Sequence, residues 1–281
     1  MLAFVHIERT AGMTVAWMLR SSFGVYHCDV EPWHARHGPE PFSANDLRRL
    51  CRVYPHLESI AGHSVTPYAG LEEACPHIQY FTLLRDPLER LASYFQYLVQ
   101  RHGRKLVFEE WIQQVKWVHN RQTGLIAGSP NDVDAAIRMI QEKNIFVGLT
   151  ERFDESMLLL KSLVANHLDI SYERMNVAQS QDLAKSLLAC DRTRRMLIEA
   201  NRADLALYEY VKHDLYPSYC REYGDRLAED VVCYRQSKGG FNRKNILLNQ
   251  VYRNLVYKPA LKLYRWRLSY SALLARQAGA G

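Results

Sequence analysis

An α/β fold, with a central parallel sheet held between two layers of helices, is predicted for this 281-residue chain by two observations. Three short apolar runs, at 2–7, 78–84 and 145–150, each end in a polar loop, and each loop is followed by apolar residues at helical spacing. Strands alternating with helices of this length imply parallel pairing with both sheet faces covered, and ligand sites at the carboxyl ends of the strands. The length suits one large domain with a substantial core. A composition of 48% hydrophobic and 23% charged residues is that of a globular chain and excludes disordered and fibrous classes.

The first run, Leu2 to Ile7, is read as a strand; Val15, Met18 and Leu19 then space a helix over 13–23 that Gly24 stops. Residues 25–57, with Pro32, Gly38, Pro39 and Pro41, read as an irregular excursion carrying one short helix near 44–53. Such excursions often line substrate sites. The second run, Ile78 to Leu84, mixes β-branched and aromatic residues and meets Arg85-Asp86-Pro87, where Asp86 can cap a helix with Pro87 in its first turn. The third run is followed by a helical pattern over 151–168. A further helical stretch over 191–215 aligns Leu197, Asn201, Leu205 and Tyr208 and is expected to end before Pro217. Gly239-Gly240 then marks a boundary between a main domain, 1–238, and a helical C-terminal extension, 239–281.

Charge is unevenly placed. The chain carries a formal +6, yet no Asp or Glu follows Asp230 while ten Lys or Arg do, so residues 1–230 are net −4 and the tail is +10. The excess therefore belongs to the tail, where Tyr, Leu and Trp interleave with Lys and Arg as in an amphipathic basic helix, and not to the sheet. Docking on an anionic membrane surface or polymer and packing on the domain or on a partner subunit, as in a homo-oligomer, are both open uses for it. Six scattered cysteines, without a C-x-x-C pair or a His at metal spacing, argue against zinc and against a disulfide framework. With no signal-like or membrane-spanning run of about 18 apolar residues, the expectation is a cytoplasmic protein, peripheral to the membrane at most.

Two loops carry the chemistry. Arg9-Thr10-Ala11-Gly12-Met13-Thr14 lies between a strand and a helix N-terminus, where backbone N–H groups and the positive end of the helix dipole favour an anion. It offers small residues for close approach, the hydroxyls of Thr10 and Thr14, and one cation. It is not the nucleotide-triphosphatase P-loop, because no Lys follows the glycine. The second loop puts Arg85 at a strand end and Ser93 two turns into the next helix, which makes a second anion site. Asp86 is read as a cap and Arg90 as a solvated helix residue.

At these residues the chain resembles the PAPS-dependent sulfotransferases, in particular the carbohydrate branch that includes the heparan sulfate and uronyl 2-O-sulfotransferases and bacterial relatives. His6-Ile7-Glu8-Arg9-Thr10-Ala11-Gly12-Met13-Thr14 is similar to the family's H-I-P-K-T-A-G-T-[ST]. Residues 81–95 are similar to F-[TV]-[LV]-L-R-D-P-x-x-R-x-x-S-x-[YF], and residues 147–154 to V-G-x-T-E-x-[FL]-[DE]. The resemblance spans about residues 3–215 and implies a P-loop-like sulfotransferase fold. It also implies that 3′-phosphoadenosine-5′-phosphosulfate (PAPS) is the donor and 3′,5′-ADP the product, without a metal. On this likeness Arg9, Thr10, Ala11, Gly12, Met13 and Thr14 bind the 5′-phosphosulfate, Arg85 and Ser93 hold the 3′-phosphate, and the acceptor is a carbohydrate hydroxyl rather than a nucleic acid.

An acceptor hydroxyl needs a base, and histidine suits that task at neutral pH. Ala61-Gly62-His63 resembles the strand end that supplies the base in the 2-O-sulfotransferases, which makes His63 the candidate. His34 and His37 are assigned to the acceptor loop or the surface, and Arg121-Gln122-Thr123-Gly124 is a weaker candidate for acceptor contact. The family has Pro-Lys where this chain has Glu8-Arg9. Charge is kept, but a guanidinium does not donate a proton as an ammonium can, so Arg9 is expected to act by stabilising charge on the leaving oxygen. A P-loop-type kinase and a PAPS-binding protein without activity stay open as alternatives.

Overall fold

The computed structural model describes residues 1–34, 40–173, 182–236 and 239–278, with side chains given for all of these except His102 and 271–278. Five strands, β1 (Leu2–Val5), β2 (His27–Asp29), β3 (Ser59–Gly62), β4 (Gln79–Leu84) and β5 (Phe146–Leu149), form one parallel sheet in the order β2-β3-β1-β4-β5. The crossover from β1 to β2 runs toward one edge of the sheet and the other three run toward the opposite edge. Right-handed crossovers then place their helices on opposite faces, which gives the expected three layers.

The helices form where local chemistry dictates. On one face α1 (Gly12–Phe23) packs over β2 and β3. In the excursion, α2 (Ala44–Val53) is fixed by a capping box in which the Ser43 hydroxyl and the Asp46 carboxylate each accept a backbone N–H. The helix after β4, α3 (Pro87–His102), is capped by Asp86, whose carboxylate accepts from the amides of Leu88 and Glu89 at 2.9 and 3.0 Å. Between α3 and β5 come α4 (Phe108–Gln114), α5 (Arg121–Ala127) and α6 (Val133–Glu142); α7 (Phe153–Leu163) follows β5. Leu91, Phe95, Phe108, Trp111 and Leu197 form a second, smaller core beside the main one. It joins α3 and α4 to α8 (Asp182–Ala189) and α9 (Asp191–Ala200).

Three expectations are corrected. The helical stretch from 191 does not stop before Pro217: after α9 it runs through α10 (Arg202–Tyr210) and a π turn, Val211–Leu215, into α11 (Tyr216–Tyr223). Pro217 directly follows that π turn, whose widened backbone accommodates a residue without an N–H. The pattern over 151–168 divides into a 3₁₀ turn and α7, which ends at Leu163. Arg90 is not solvated; it is fully buried, donates to the Val118 carbonyl at 3.0 Å and faces buried Asp204 at 3.9 Å. Asp204 also accepts from the amides of Gln122 and Thr123, and burial raises its carboxyl while the Arg90 charge and those amides oppose the rise.

After α12 (Leu227–Gln236) the chain forms α13 (Arg243–Tyr252), a second π turn and α14 (Lys258–Ala278). These helices lie on the domain. Asn249 donates to the carbonyls of Gly24 and His27 at 2.9 and 2.7 Å, and Tyr257 and Leu261 belong to the same apolar cluster as the strands. Among the described residues no helix is long and apolar enough to cross a membrane.

Candidate active site

Neighbouring strands β1 and β4 send their following segments toward opposite edges, so a crevice opens at their carboxyl ends, the switch point at which α/β sheets bind ligands. The two loops singled out from the sequence both lie there. They line one cavity of about 640 Å³, well within the size range of small-molecule sites. Arg9, Ala11, Gly12, Met13, Thr14, Arg85 and Ser93 all reach its wall. Thr10 does not: its hydroxyl turns inward and donates to the Ile7 carbonyl at 3.0 Å, so that side chain staples the loop and points away from the cavity.

The loop is bent sharply. Arg9 and Ala11 both adopt left-handed backbone, with φ of 69° and 61°, a conformation that costs an L-residue about 1 kcal/mol or more and is concentrated at functional sites. The bend brings the start of α1 over the His6 ring. A Cβ built on Gly12 would lie 2.0 Å from His6 Cδ2, so only glycine permits the approach. Among the described residues no side chain caps α1, and the first-turn amides of Gly12 and Met13 have no intrahelical acceptor.

Two guanidinium groups converge on this turn. Arg9 Nε donates to the Ser93 hydroxyl at 3.0 Å, and its guanidinium lies over the Tyr97 ring at 5.2 Å. Arg85 donates to the Arg9 carbonyl at 3.4 Å and to Glu89 at 3.1 Å. Buried Gln122 clamps the backbone of Arg85, accepting from its N–H and donating to its carbonyl, both at 3.0 Å. Burial, and then the nearby Arg85 charge, lower the Arg9 pKa from its ordinary value. Among the described residues no carboxylate lies within ion-pair distance of Arg9. Half-buried cations that repel each other, beside the amides of a helix start, are the kind of chemistry that attracts anions, although Glu89, Glu151 and Asp154 also line the cavity.

His63, at the carboxyl end of β3, is half-exposed and lies outside the cavity wall. Its ring packs at 4.2 Å against His6, which does line the cavity. His63 Nδ1 donates to the His6 carbonyl at 2.7 Å and is 3.7 Å from Glu8. That bond fixes the tautomer, leaving Nε2 with the lone pair a base requires. Burial, reinforced by His63, holds His6 down at about 3, so its ring is neutral at ordinary pH.

Glu8 stands where the family pattern has proline. It accepts two bonds from Arg121, at 3.1 and 3.0 Å. Burial alone would raise the Glu8 carboxyl, but the Arg121 bonds and charge outweigh it and hold the group at about 2. Arg121 also stacks on Trp117 at 5.3 Å. In the 121–124 segment, then, Arg121 and Gln122 brace the loops that carry Glu8 and Arg85. His34 pairs with Glu40 and Asp46 at the surface, and His37 lies outside the described residues.

Sequence reading missed several lining residues. His6 could have been found, as a histidine at a strand end inside the quoted motif. Lys185 from α8 and Arg235 from α12 add cations to the lining, and nothing local in the sequence marks them. Arg235 is paired with Asp154 at 2.8 Å.

No family model matches the chain. Galactose-3-O-sulfotransferase 3 of Homo sapiens is 30% identical over 244 residues, covering 74% of this chain and 54% of that protein. The Bos taurus protein of the same name is 29% identical over 243 residues, covering 74% of this chain and 55% of its own length. The chain thus spans about half the length of the curated relatives it matches. A solved sulfotransferase from Alicyclobacillus acidocaldarius aligns with a TM-score of 0.41 and 15% identity over 70% of this chain and 94% of its own.

Proposed function

This chain belongs to the carbohydrate sulfotransferase family, and from the paired anion loops we propose that it transfers the sulfuryl group of PAPS to a sugar hydroxyl. The observation that carries the reading is Arg9: a half-buried guanidinium with no carboxylate at ion-pair distance among the described residues, set against Arg85 and the amides at the start of α1. Arg9, Ala11, Gly12, Met13 and Thr14 would hold the 5′-phosphosulfate, and Arg85 and Ser93 the 3′-phosphate. The donor, when bound, supplies an activated sulfuryl group on a phosphate leaving group.

The chain's own residues do the rest. His63 Nε2 takes the acceptor proton, while the bond from Nδ1 to the His6 carbonyl keeps the ring oriented. Neutral His6 adds no positive charge beside that imidazole. Arg9 and the first-turn amides stabilise the negative charge that develops on the leaving oxygen. The names of the relatives make galactose the first acceptor to assay.

Calorimetric titration with 3′,5′-ADP, 5′-AMP and ATP tests the donor assignment. Preference for 3′,5′-ADP over 5′-AMP is expected, since only it uses both loops, and tighter binding of ATP would refute the assignment. Binding of 3′,5′-ADP without sulfate transfer from PAPS to any of a set of galactosides would reassign the chain as a donor-binding protein without activity. Arg9 in the family's lysine position is the observation that would then account for it.

A further inference from the structure

The C-terminal helices carry a face that the domain does not use. Ile246, Asn249, Tyr257 and Leu261 turn inward onto the sheet domain. On the outer side Leu247, Val251, Leu255, Leu263, Trp266 and Tyr270 are all exposed, Leu255 at 72% and Trp266 at 57%. The π turn at Arg253–Tyr257 matters for this pattern. An uninterrupted α-helix drifts about 40° with every four residues, and the wider turn rotates the second half back into register with the first.

Cations share the exposed side. Lys258 and Lys262 fall between Leu255 and Trp266 at helical spacing, and Lys244 and Arg267 flank the stripe. These four are exposed and have no ion-pair partner among the described residues, whereas Arg253 and Arg265 are turned inward to Glu31. From residue 239 to the end of the given sequence there is no Asp or Glu. A second copy of this face would meet like charge with like charge. A soluble polyanion would engage the cations but leave the leucines and the tryptophan in water. Apolar side chains interleaved with unpaired cations, on a helix not apolar enough to cross a bilayer, match an anionic lipid surface.

We propose that residues 243–270 dock this protein in the plane of an anionic bilayer, with Leu255, Leu263 and Trp266 inserted and Lys258, Lys262 and Arg267 against the lipid phosphates. The inference is independent of the donor and acceptor assignments. Its test is co-sedimentation of the full chain with phosphatidylcholine vesicles with and without phosphatidylserine. Because the changed side chains are exposed, Leu255→Gln/Leu263→Gln/Trp266→Gln and Lys258→Gln/Lys262→Gln/Arg267→Gln should keep wild-type circular dichroism and melting. Binding is expected only with phosphatidylserine, and should fall about tenfold or more in the first variant and about a hundredfold in the second. Sedimentation indifferent to phosphatidylserine would overturn the proposal. So would vesicle binding that survives loss of the three apolar side chains, which would mark a general polyanion site. A dimer dispersed by the same change without vesicle binding would assign the face to a second copy instead.

Discussion

Replacing Glu8 with Gln is the sharpest probe of how this chain supports a loop that departs from its family. The carboxylate is only 19% exposed and its partner Arg121 only 20%, so solvent screens the pair weakly. Its pKa falls from an ordinary 4.5 to about 2 in the folded chain. A depressed carboxyl adds stability that is present above the unfolded value and is lost as pH falls through the folded value. By linkage that stability is about 3 kcal/mol at pH 7 and roughly 1.4 kcal/mol at pH 3. Urea denaturation of both proteins at the two pH values reads the difference directly. The Glu8→Gln protein is expected to be less stable by about 3 kcal/mol at pH 7, and the gap should narrow by more than half at pH 3. A gap below about 1 kcal/mol at pH 7, the worth of an ordinary surface pair, would show that Arg121 does not hold the loop through Glu8. A gap of the same size at both pH values would show that the loss comes from packing and not from charge.

The remaining predictions concern the site. Arg9→Ala should weaken 3′,5′-ADP binding about tenfold to a hundredfold by calorimetry, the worth of a charge-assisted contact; unchanged affinity would remove Arg9 from the donor site. His63→Ala should lower kcat by about 10²- to 10⁴-fold while 3′,5′-ADP binding stays at the wild-type value, and a parallel loss of binding would mark a structural role. Gly12→Ala forces a Cβ into the His6 ring and should cost about 1–3 kcal/mol in denaturant unfolding along with donor affinity, whereas a neutral result would mean that His6 can leave its place at no cost. Gln122→Leu removes both bonds to the Arg85 backbone; the preference for 3′,5′-ADP over 5′-AMP should shrink, and a preference left intact would show that Arg85 needs no clamp.

Features written in contiguous residues were the legible ones. Apolar runs announced β1, β4 and β5, and Asp86-Pro87 announced the start of α3, because each depends on neighbours within a few positions. Three-residue β2 was invisible: His27-Cys28-Asp29 has no periodicity, and it is a strand because β3 offers a parallel edge to it. Arg90 was misread for a related reason. Nothing near it in sequence signals burial, and its carboxylate, Asp204, arrives from a helix more than a hundred residues away. Thr10 shows the opposite limit. A hydroxyl in a phosphate-type loop is chemically suited to a ligand, yet the left-handed turns at Arg9 and Ala11 rotate it into the core.

The same long-range logic bears on the departure at Glu8-Arg9. A proline at position 8 would hold the loop entry by its fixed φ; here a bidentate ion pair reaching 113 residues along the chain takes that place. With the entry held from outside, Arg9 can occupy strained backbone and still present a planar guanidinium, steadied by the Ser93 hydroxyl and the Tyr97 face. The two substitutions are therefore coupled, and the coupling can be measured. If Glu8 and Arg121 exist to position Arg9, the Glu8→Gln and Arg9→Ala losses of 3′,5′-ADP affinity should fall short of additivity in the double variant, because once Arg9 is gone its support has nothing left to hold. Additive losses would separate them, leaving Glu8 a stabilising residue that happens to adjoin the site.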